Sequence, residues 1–383
     1  MSKPRSNPAV ELQRALRAVK AGINARGTRG DVLRAVRLSP GQVRTYNYAT
    51  TVDVTSPALD RLPEVAVDAI ELAYTLNAVS LPDADLSLDP DTGALTITTP
   101  QITLPVAAVN PESLPPWPTY PKRMPLHILD PDEWANVMRC IIAAGRDDTL
   151  PTLTNVKIAD TDGRLTAAAT DRYRLAVADI AAEVVPDWSA LLPVSTLIDW
   201  AAVTGKTQPS VELWGPAPTT ERGAEAGRHR IWLRAFDVLG PGTSIEMSAI
   251  ATDREFPRYM SLIPKETGYK ARLDRSALAA VLSTMVDLKL VDSPVQLTMT
   301  DDRGLQLTLR DGGGQGQVRA QAHIDLDGSL PDIAFNPRFL LDGMTALAGA
   351  TVTIAGKTHT QVAMLTGTNP AYRYLLMPVR LTA

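Results

Sequence analysis

The side chains able to do covalent or metal chemistry are few in this chain and poorly spaced for it. Four histidines, His127, His229, His323 and His359, fall in separate stretches, without the close pairing that would hold a zinc ion. The single cysteine, Cys140, lies in the helical pattern MRCIIAAG and reads as a small core residue; it has no partner for an internal disulfide. Residues 312–316 (GGGQG) could cradle a phosphate, but no lysine and no helix follow, so they read as a hairpin turn. No Gly-x-Ser-x-Gly elbow or dinucleotide fingerprint occurs. Acids gather at residues 158–163 and 85–93, in turns where aspartate bonds nearby backbone, and no glutamate closes the spacing of a calcium loop. The expectation is a protein with no enzymatic activity, no metal and no cofactor.

What remains is the chemistry of binding. Arg14, Arg17 and Lys20 recur every third residue, so they share a helix face beside or opposite the apolar stripe Leu12, Leu16 and Val19. Arg26 and Arg29 follow. Such a face could meet phosphates, and it could equally be an ordinary solvated surface. The formal net charge of -4 does not announce a nucleic-acid binder, but a protein that encloses DNA needs only a basic inner wall. A second candidate is the apolar segment YLLMPVRL, residues 374–381. Leu375, Leu376 and Val379 read either as a last core strand or as one wall of a pocket, because successive side chains on a strand face opposite ways.

The elements that would position these residues repeat. At 383 residues the chain is too long for one ordinary domain. Three stretches share one order: helix, strands, second helix, strands. In the first, ELQRALRAVKAGI and VDAIELAYTLNAV have helical spacing, with VLRAVRLS, YATTVDVT, ADLSLD, ALTITT and QITLPVAAV as strands. The Pro-rich stretch at 113–125 follows as a linker. The second opens with LDPDEWANVMRCIIAAG, where Asp130 can cap and Pro131 suits the first helical position. VKIADTDGRLTAAATD then predicts a hairpin, and VSTLIDWAAVTG a helix ending at Gly205. VELWG and HRIWLRAFDV flank a loop, APTTERGAEAG. The third holds DRSALAAVLSTMV, the hairpin VQLTMTDDRGLQLTLRD, the helix NPRFLLDGMTALAG, and strands ATVTIAG and TQVAMLTG. The class is therefore α+β, three tandem units at 1–120, 121–267 and 268–383, each with two helices on antiparallel sheet. Two such chains meeting head to tail could close into a ring. No apolar run approaches the roughly 18 residues that span a bilayer. Residues 1–7 are polar with no apolar stretch behind them, so a cytoplasmic protein without membrane association is expected.

Four segments, in order, resemble the bacterial DNA polymerase III beta subunit, the sliding clamp: LPTLTNVKIADTDGRLTAAATDRYRLAVA at 150–178, FPRYMSLIPKE at 256–266, NPRFLLDGMTAL at 336–347 and YLLMPVRL at 374–381. The resemblance implies three tandem clamp (processivity-fold) domains and a homodimeric ring around duplex DNA, held without sequence specificity. It also implies a pocket for short motifs of the DNA polymerase III catalytic subunit, the clamp loader and other clamp-motif proteins. The matching pocket positions are Leu153, Thr170, Arg172, Tyr173, Arg174 and Leu175, then Pro257, Ser261 and Leu262, then Phe339, Leu375, Met377, Pro378, Val379, Arg380 and Leu381. Arg172 and Tyr173 stand where the family pattern is Gly-His, and Ser261 replaces a basic residue, so the preferred peptide should differ.

For DNA the resemblance points to Arg14, Arg17, Lys20 and Arg26, to Arg139, Arg146 and Lys206, and to Arg272 and Arg275; Lys270 and Arg338 also lie in the third unit. The second helices of the first two units lack bases, which opens the alternative of a clamp-like paralogue that chiefly binds partners. For ring closure it points to Ile102 and Leu104 of one subunit against Val281 and Leu282 of the other, positions that could otherwise be internal core.

Overall fold

Most of the described helices begin where the sequence supplies a cap. In the computed structural model, which describes residues 7–23, 32–118, 124–161, 163–181, 188–205, 207–215, 230–252, 254–289, 293–301, 304–310 and 318–380, six α-helices form. They are α1 Pro8–Ala18, α2 Ala69–Ala78, α3 Pro131–Cys140, α4 Val194–Thr204, α5 Arg275–Asp287 and α6 Pro337–Ala346, two in each expected third. The side chains of Asn7, Asp68, Asp274 and Asn336 accept hydrogen bonds from backbone N–H groups of the first turns of α1, α2, α5 and α6. At α3 the capping is reciprocal: Glu133 N–H donates to Asp130, and Asp130 N–H donates to Glu133, both at 2.8 Å. Each such cap is worth about 1 kcal/mol. At the other end of α4, Gly205 adopts φ +59°, the left-handed stop its sequence predicts.

The strands are β1 Ala35–Ser39, β2 Gln42–Tyr46, β3 Thr50–Thr55, β4 Val65–Asp68, β5 Asp85–Leu88, β6 Leu95–Thr98, β7 Thr103–Val106 and β8 His127–Leu129. Then come β9 Asn155–Thr161, β10 Arg164–Thr170, β11 Arg174–Ile180, β12 Ser189–Pro193, β13 Val211–Trp214, β14 Arg230–Phe236 and β15 Ser244–Ile250. The last are β16 Tyr269–Asp274, β17 Val295–Met299, β18 Gly304–Arg310, β19 Val318–Ser329, β20 Ile333–Phe335, β21 Thr351–Gly356, β22 Ala363–Thr366 and β23 Tyr372–Leu376.

Two compact units hold them. The first comprises Met1–Trp134 with Ser195–Asp253, the second Ala135–Val194 with Arg254–Ala383. In the first, an eight-stranded sheet runs β4-β1-β2-β3-β15-β14-β13-β8 beside a three-stranded sheet β5-β6-β7; in the second, twelve strands run β12-β9-β10-β11-β23-β22-β21-β16-β19-β18-β17-β20. The sheets cross the sequence thirds. β3 pairs with β15 from Thr55↔Ser244 to Thr50↔Ala249, and β11 pairs with β23 from Arg174↔Leu376 to Ala178↔Tyr372. Pairing across thirds covers edges that would otherwise present free N–H and C=O groups.

The helices bury their apolar stripes as their spacing predicts. Leu12, Leu16 and Val19 of the first unit are buried with Leu72 and Leu76 of α2, and α1 packs on α2. Trp134 and Trp200 meet edge to face, with ring centroids 6.1 Å apart. In the second unit α5 packs on α6 through a core that includes Leu278, Leu282, Met285, Leu340 and Met344. Leu282 is 0% exposed, which corrects its assignment to a subunit interface: it is core of its own unit. Cys140 is buried, and burial pushes its thiol pKa up, away from reactivity.

One row of the eight-stranded sheet carries charge on six consecutive strands. Glu212, Arg234, Glu246, Asp53, Arg44 and Arg37 stand directly opposite one another across β13, β14, β15, β3, β2 and β1. Arg234 pairs with Glu212 at 2.6 Å and Glu246 at 3.5 Å, and Arg44 with Asp53 at 2.7 Å. Trp117 covers the basic end, its ring centroid 5.4 Å from the Arg44 guanidinium and 6.0 Å from that of Arg37. Glu246 and Asp53 are neighbours of like charge. Burial, and then Glu246, raise the Asp53 pKa to about 6 despite Arg44.

Among the described residues no helix is long and apolar enough to cross a membrane, and no cluster of His, Cys, Asp or Glu is placed to hold a metal. The Gly-rich turn at 312–316, the loop at 217–227, His229, Arg26, Arg29, Lys206 and Leu381 lie outside the described residues.

Candidate functional site

The strand alternation at β23 resolves its two readings by giving each its own face. Tyr372, Tyr374 and Leu376 point into the core: the Tyr372 hydroxyl donates to the Arg139 carbonyl at 3.1 Å and the Tyr374 hydroxyl to the Phe339 carbonyl at 2.8 Å. Leu375 and Met377 face the other way and line a groove. Met377 N–H continues the pairing by donating to the Tyr173 carbonyl at 2.9 Å, and Val379 N–H donates to Ala334 at 2.8 Å.

The groove encloses about 630 Å³ within the second unit. Leu175 and Leu375 of its lining belong to an apolar cluster with Ala168, Val177, Leu191, Phe256 and Tyr259, against which Ile263, Val362 and Met364 pack. The Tyr259 hydroxyl lies 3.1 Å from Thr166 Oγ1, so that ring is fixed. One wall is the β10–β11 turn; the facing wall comprises residues 261–266 and the β21–β22 connection, with Lys357, Thr360, Gln361 and Val362. Leu262, Tyr173 and Met377 are about half exposed, at 53, 57 and 49%, so apolar surface is open to solvent at the lip.

The β10–β11 turn is ordered by its own side chains. Asp171 accepts from the N–H groups of Tyr173 and Arg174, both at 3.0 Å, and Thr170 Oγ1 donates to the Arg174 carbonyl at 2.7 Å. The turn forces Arg172 to φ +80°, the left-handed region where glycine is at home. That is the physical reason a glycine suits this position. Arg174 is buried and bonds Asp171 at 2.8 Å and Asp342 of α6. Its guanidinium lies 4.3 Å from the Phe339 ring centroid, Phe339 stacks on Tyr173 at 6.3 Å, and the Arg172 guanidinium lies 5.9 Å from the Tyr173 ring. Four side chains thus form a continuous cation–aromatic wall.

Of the expected pocket residues, Thr170, Arg172, Tyr173, Arg174, Leu175, Ser261, Leu262, Leu375 and Met377 converge on the groove. Phe339 stands behind Tyr173. Leu153 does not line it: it is buried, and its Cβ would lie 3.2 Å from a Cβ on Gly145. Pro257 is exposed and does not line it, while its neighbours Phe256 and Tyr259 are buried in the cluster behind Leu175 and Leu375. Pro378, Val379 and Arg380 continue past the groove along the chain that meets Ala334. Residues 263–266 and 357–362 were missed; residues 357–362 belong to none of the four recognised segments.

The basic positions divide by what already holds them. Arg14, Arg17 and Lys20 share the exposed face of α1 and its 3-10 extension, Arg14 bonded to Glu11 at 3.1 Å and Arg17 to Gln13 at 3.2 Å. Arg146 is exposed, and Arg272 pairs at the surface with Asp327 at 2.8 Å. Arg139 is half-buried and donates to Asn136 at 2.5 Å. Arg275 donates to the carbonyls of Gly349 at 2.6 Å and Met344 at 2.9 Å, so it caps α6 rather than facing outward, which corrects its place in the basic set. The exposed faces of α2 and α4 present Ile70, Tyr74 and Ile198 and no cation. In the first unit Ile102 is 49% exposed and Leu104 half-buried on β7, against which α2 packs; in the second, Val281 is half-buried.

Comparison with known proteins adds an independent line. Residues 129–214 match the model of the DNA polymerase III beta subunit central domain, and residues 260–380 that of its C-terminal domain. The chain is 33% identical over 257 residues to the beta sliding clamp of Streptomyces coelicolor, a match spanning 64% of each protein. It is 30% identical over 286 residues to the beta sliding clamp homolog GriR of Streptomyces muensis, spanning 71% of each. The crystal structure of the beta subunit of Streptococcus pyogenes DNA polymerase superposes with a TM-score of 0.81 at 16% identity, over 97% of this chain and 98% of that one.

Proposed function

The chain belongs to the DNA polymerase III beta subunit family, the beta sliding clamps, and from that premise we propose that it is a replication processivity factor: a homodimeric ring that encircles duplex DNA and tethers polymerase through the groove. The family works without catalysis. The observation that carries the tethering role is the open apolar groove, where three separated segments meet around Leu175, Leu262 and Leu375. Met and aliphatic walls re-pack around different ligands, which suits a site shared by the polymerase catalytic subunit, a clamp loader and other clamp-motif proteins. A chain truncated before Met377 should lose binding of an apolar clamp-motif peptide in fluorescence anisotropy; undiminished affinity counts against the groove.

Three tandem domains, at 1–120, 121–267 and 268–383, would give each subunit both ends of a head-to-tail closure. The closing surface on one side is Ile102 and Leu104 with Ile70 and Tyr74 of α2 beside them; on the other it is Val281 without Leu282. Inside the ring, Arg14, Arg17 and Lys20 supply exposed cations, with Arg146 and Arg272 as further contacts and Arg26 and Lys206 kept from the sequence reading alone. Arg139 contributes only if its bond to Asn136 opens. The site of action is the cytoplasm, where the DNA is.

A second reading is a clamp-like paralogue that binds partner peptides but encircles DNA poorly. The cation-free faces of α2 and α4 favour it, because sliding relies on phosphate contacts from inner helices.

A further inference from the structure

The groove's lip carries charge that its apolar floor does not need. We propose that Arg172 is a specificity determinant, making the groove prefer partner segments that carry a carboxylate beside their apolar anchor residues. This rests on the peptide-groove reading above and extends it to the chemistry of the partner.

Among the residues lining the groove, Arg174 is neutralised by Asp171 and Asp342 and is buried. That leaves Arg172, Lys265 and Lys357 as exposed cations against one carboxylate, Glu266, whose Oε2 is 3.8 Å from Lys357 Nζ. The lip is therefore cationic on a chain whose net charge is -4. Asp147, an exposed acid elsewhere in the second unit, accepts hydrogen bonds from Thr149 Oγ1 at 2.6 Å and its N–H at 2.9 Å. Arg172 itself makes no ion pair among the described residues, so its guanidinium is open to a ligand's carboxylate.

Its position is also defined. The backbone is held left-handed at φ +80°, a conformation that strains a non-glycine residue. The guanidinium rests over Tyr173, and Tyr173 rests on Phe339. An arginine retained where glycine fits without cost, and braced by a stacked ring, is an outlier of the kind that accompanies function. Apolar burial would supply most of the affinity, and an acidic side chain crossing the lip would add one charge-assisted hydrogen bond. Basic flanks would be disfavoured at the same place.

The test uses the full chain and fluorescently labelled peptides that share one apolar clamp-motif core, flanked on each side by Asp or by Asn. At low salt the Asp peptide should bind the wild-type protein about three- to fivefold more tightly, a ratio that shrinks as salt screens the lip. Arg172→Gly, which suits the backbone, should reduce that ratio to the smaller part supplied by Lys265 and Lys357, and Arg172→Lys should keep more of it. Equal affinities in the wild type, or a preference undiminished in Arg172→Gly, would overturn the proposal. Failure of both peptides to bind the wild type would overturn the groove reading itself, and this one with it.

Discussion

Arg172 and Arg174 sit two positions apart on one turn and do opposite jobs. Arg174 is buried with two carboxylates, so Arg174→Ala leaves Asp171 and Asp342 uncompensated and should lower unfolding free energy by about 3 kcal/mol in urea titration. Arg172→Gly should instead raise stability by about 1 kcal/mol by relieving the left-handed backbone. A loss of stability in the second variant would mean that the stack on Tyr173 outweighs the backbone cost. These residues were legible as a family motif, and their departure from Gly-His was legible too. What the sequence did not give away was which neighbours share the groove. Lys357, Thr360 and Gln361 are polar and remote in sequence from the turn with which they line the groove. Only tertiary pairing of β11 with β23 and of β22 with β23 brings those stretches together.

At the scale of elements, helices were legible and sheet neighbours were not. Caps such as Asp130 with Glu133 are local, and so is the stripe Leu12, Leu16, Val19. Alternation tells which face a side chain takes but not which strand lies alongside. The charged row across β13, β14, β15, β3, β2 and β1 is the consequence, invisible until the register is known. It carries a pH prediction. The folded-state pKa of Asp53 is raised, so the stability tied to its protonated form is present at low pH and is lost as pH rises through about 6. Asp53→Asn should flatten that part of the profile, so the advantage of the wild type near pH 4 over pH 7 shrinks in chemical denaturation. An unchanged slope would show that Glu246, not Asp53, holds the proton.

At the scale of the whole molecule, the family resemblance made the clamp fold legible, whereas composition pointed away from DNA. A net charge of -4 says nothing of where cations lie. The expected assembly is a dimer near twice 41.2 kDa by sedimentation equilibrium, and changing Ile102 to Asp should leave a monomer. Replacing Arg14, Arg17 and Lys20 by Glu should weaken DNA association and make its salt dependence shallower, by up to about 2.7 in log–log slope if all three touch phosphates. An unaltered slope would assign those cations to an ordinary solvated face. The most direct measurement is retention on topologically closed DNA. After loading, the protein should co-elute with nicked circular duplex through gel filtration and be released when a single cut linearises the circle. Retention that survives linearisation, or no retention on the circle at all, would contradict an encircling clamp.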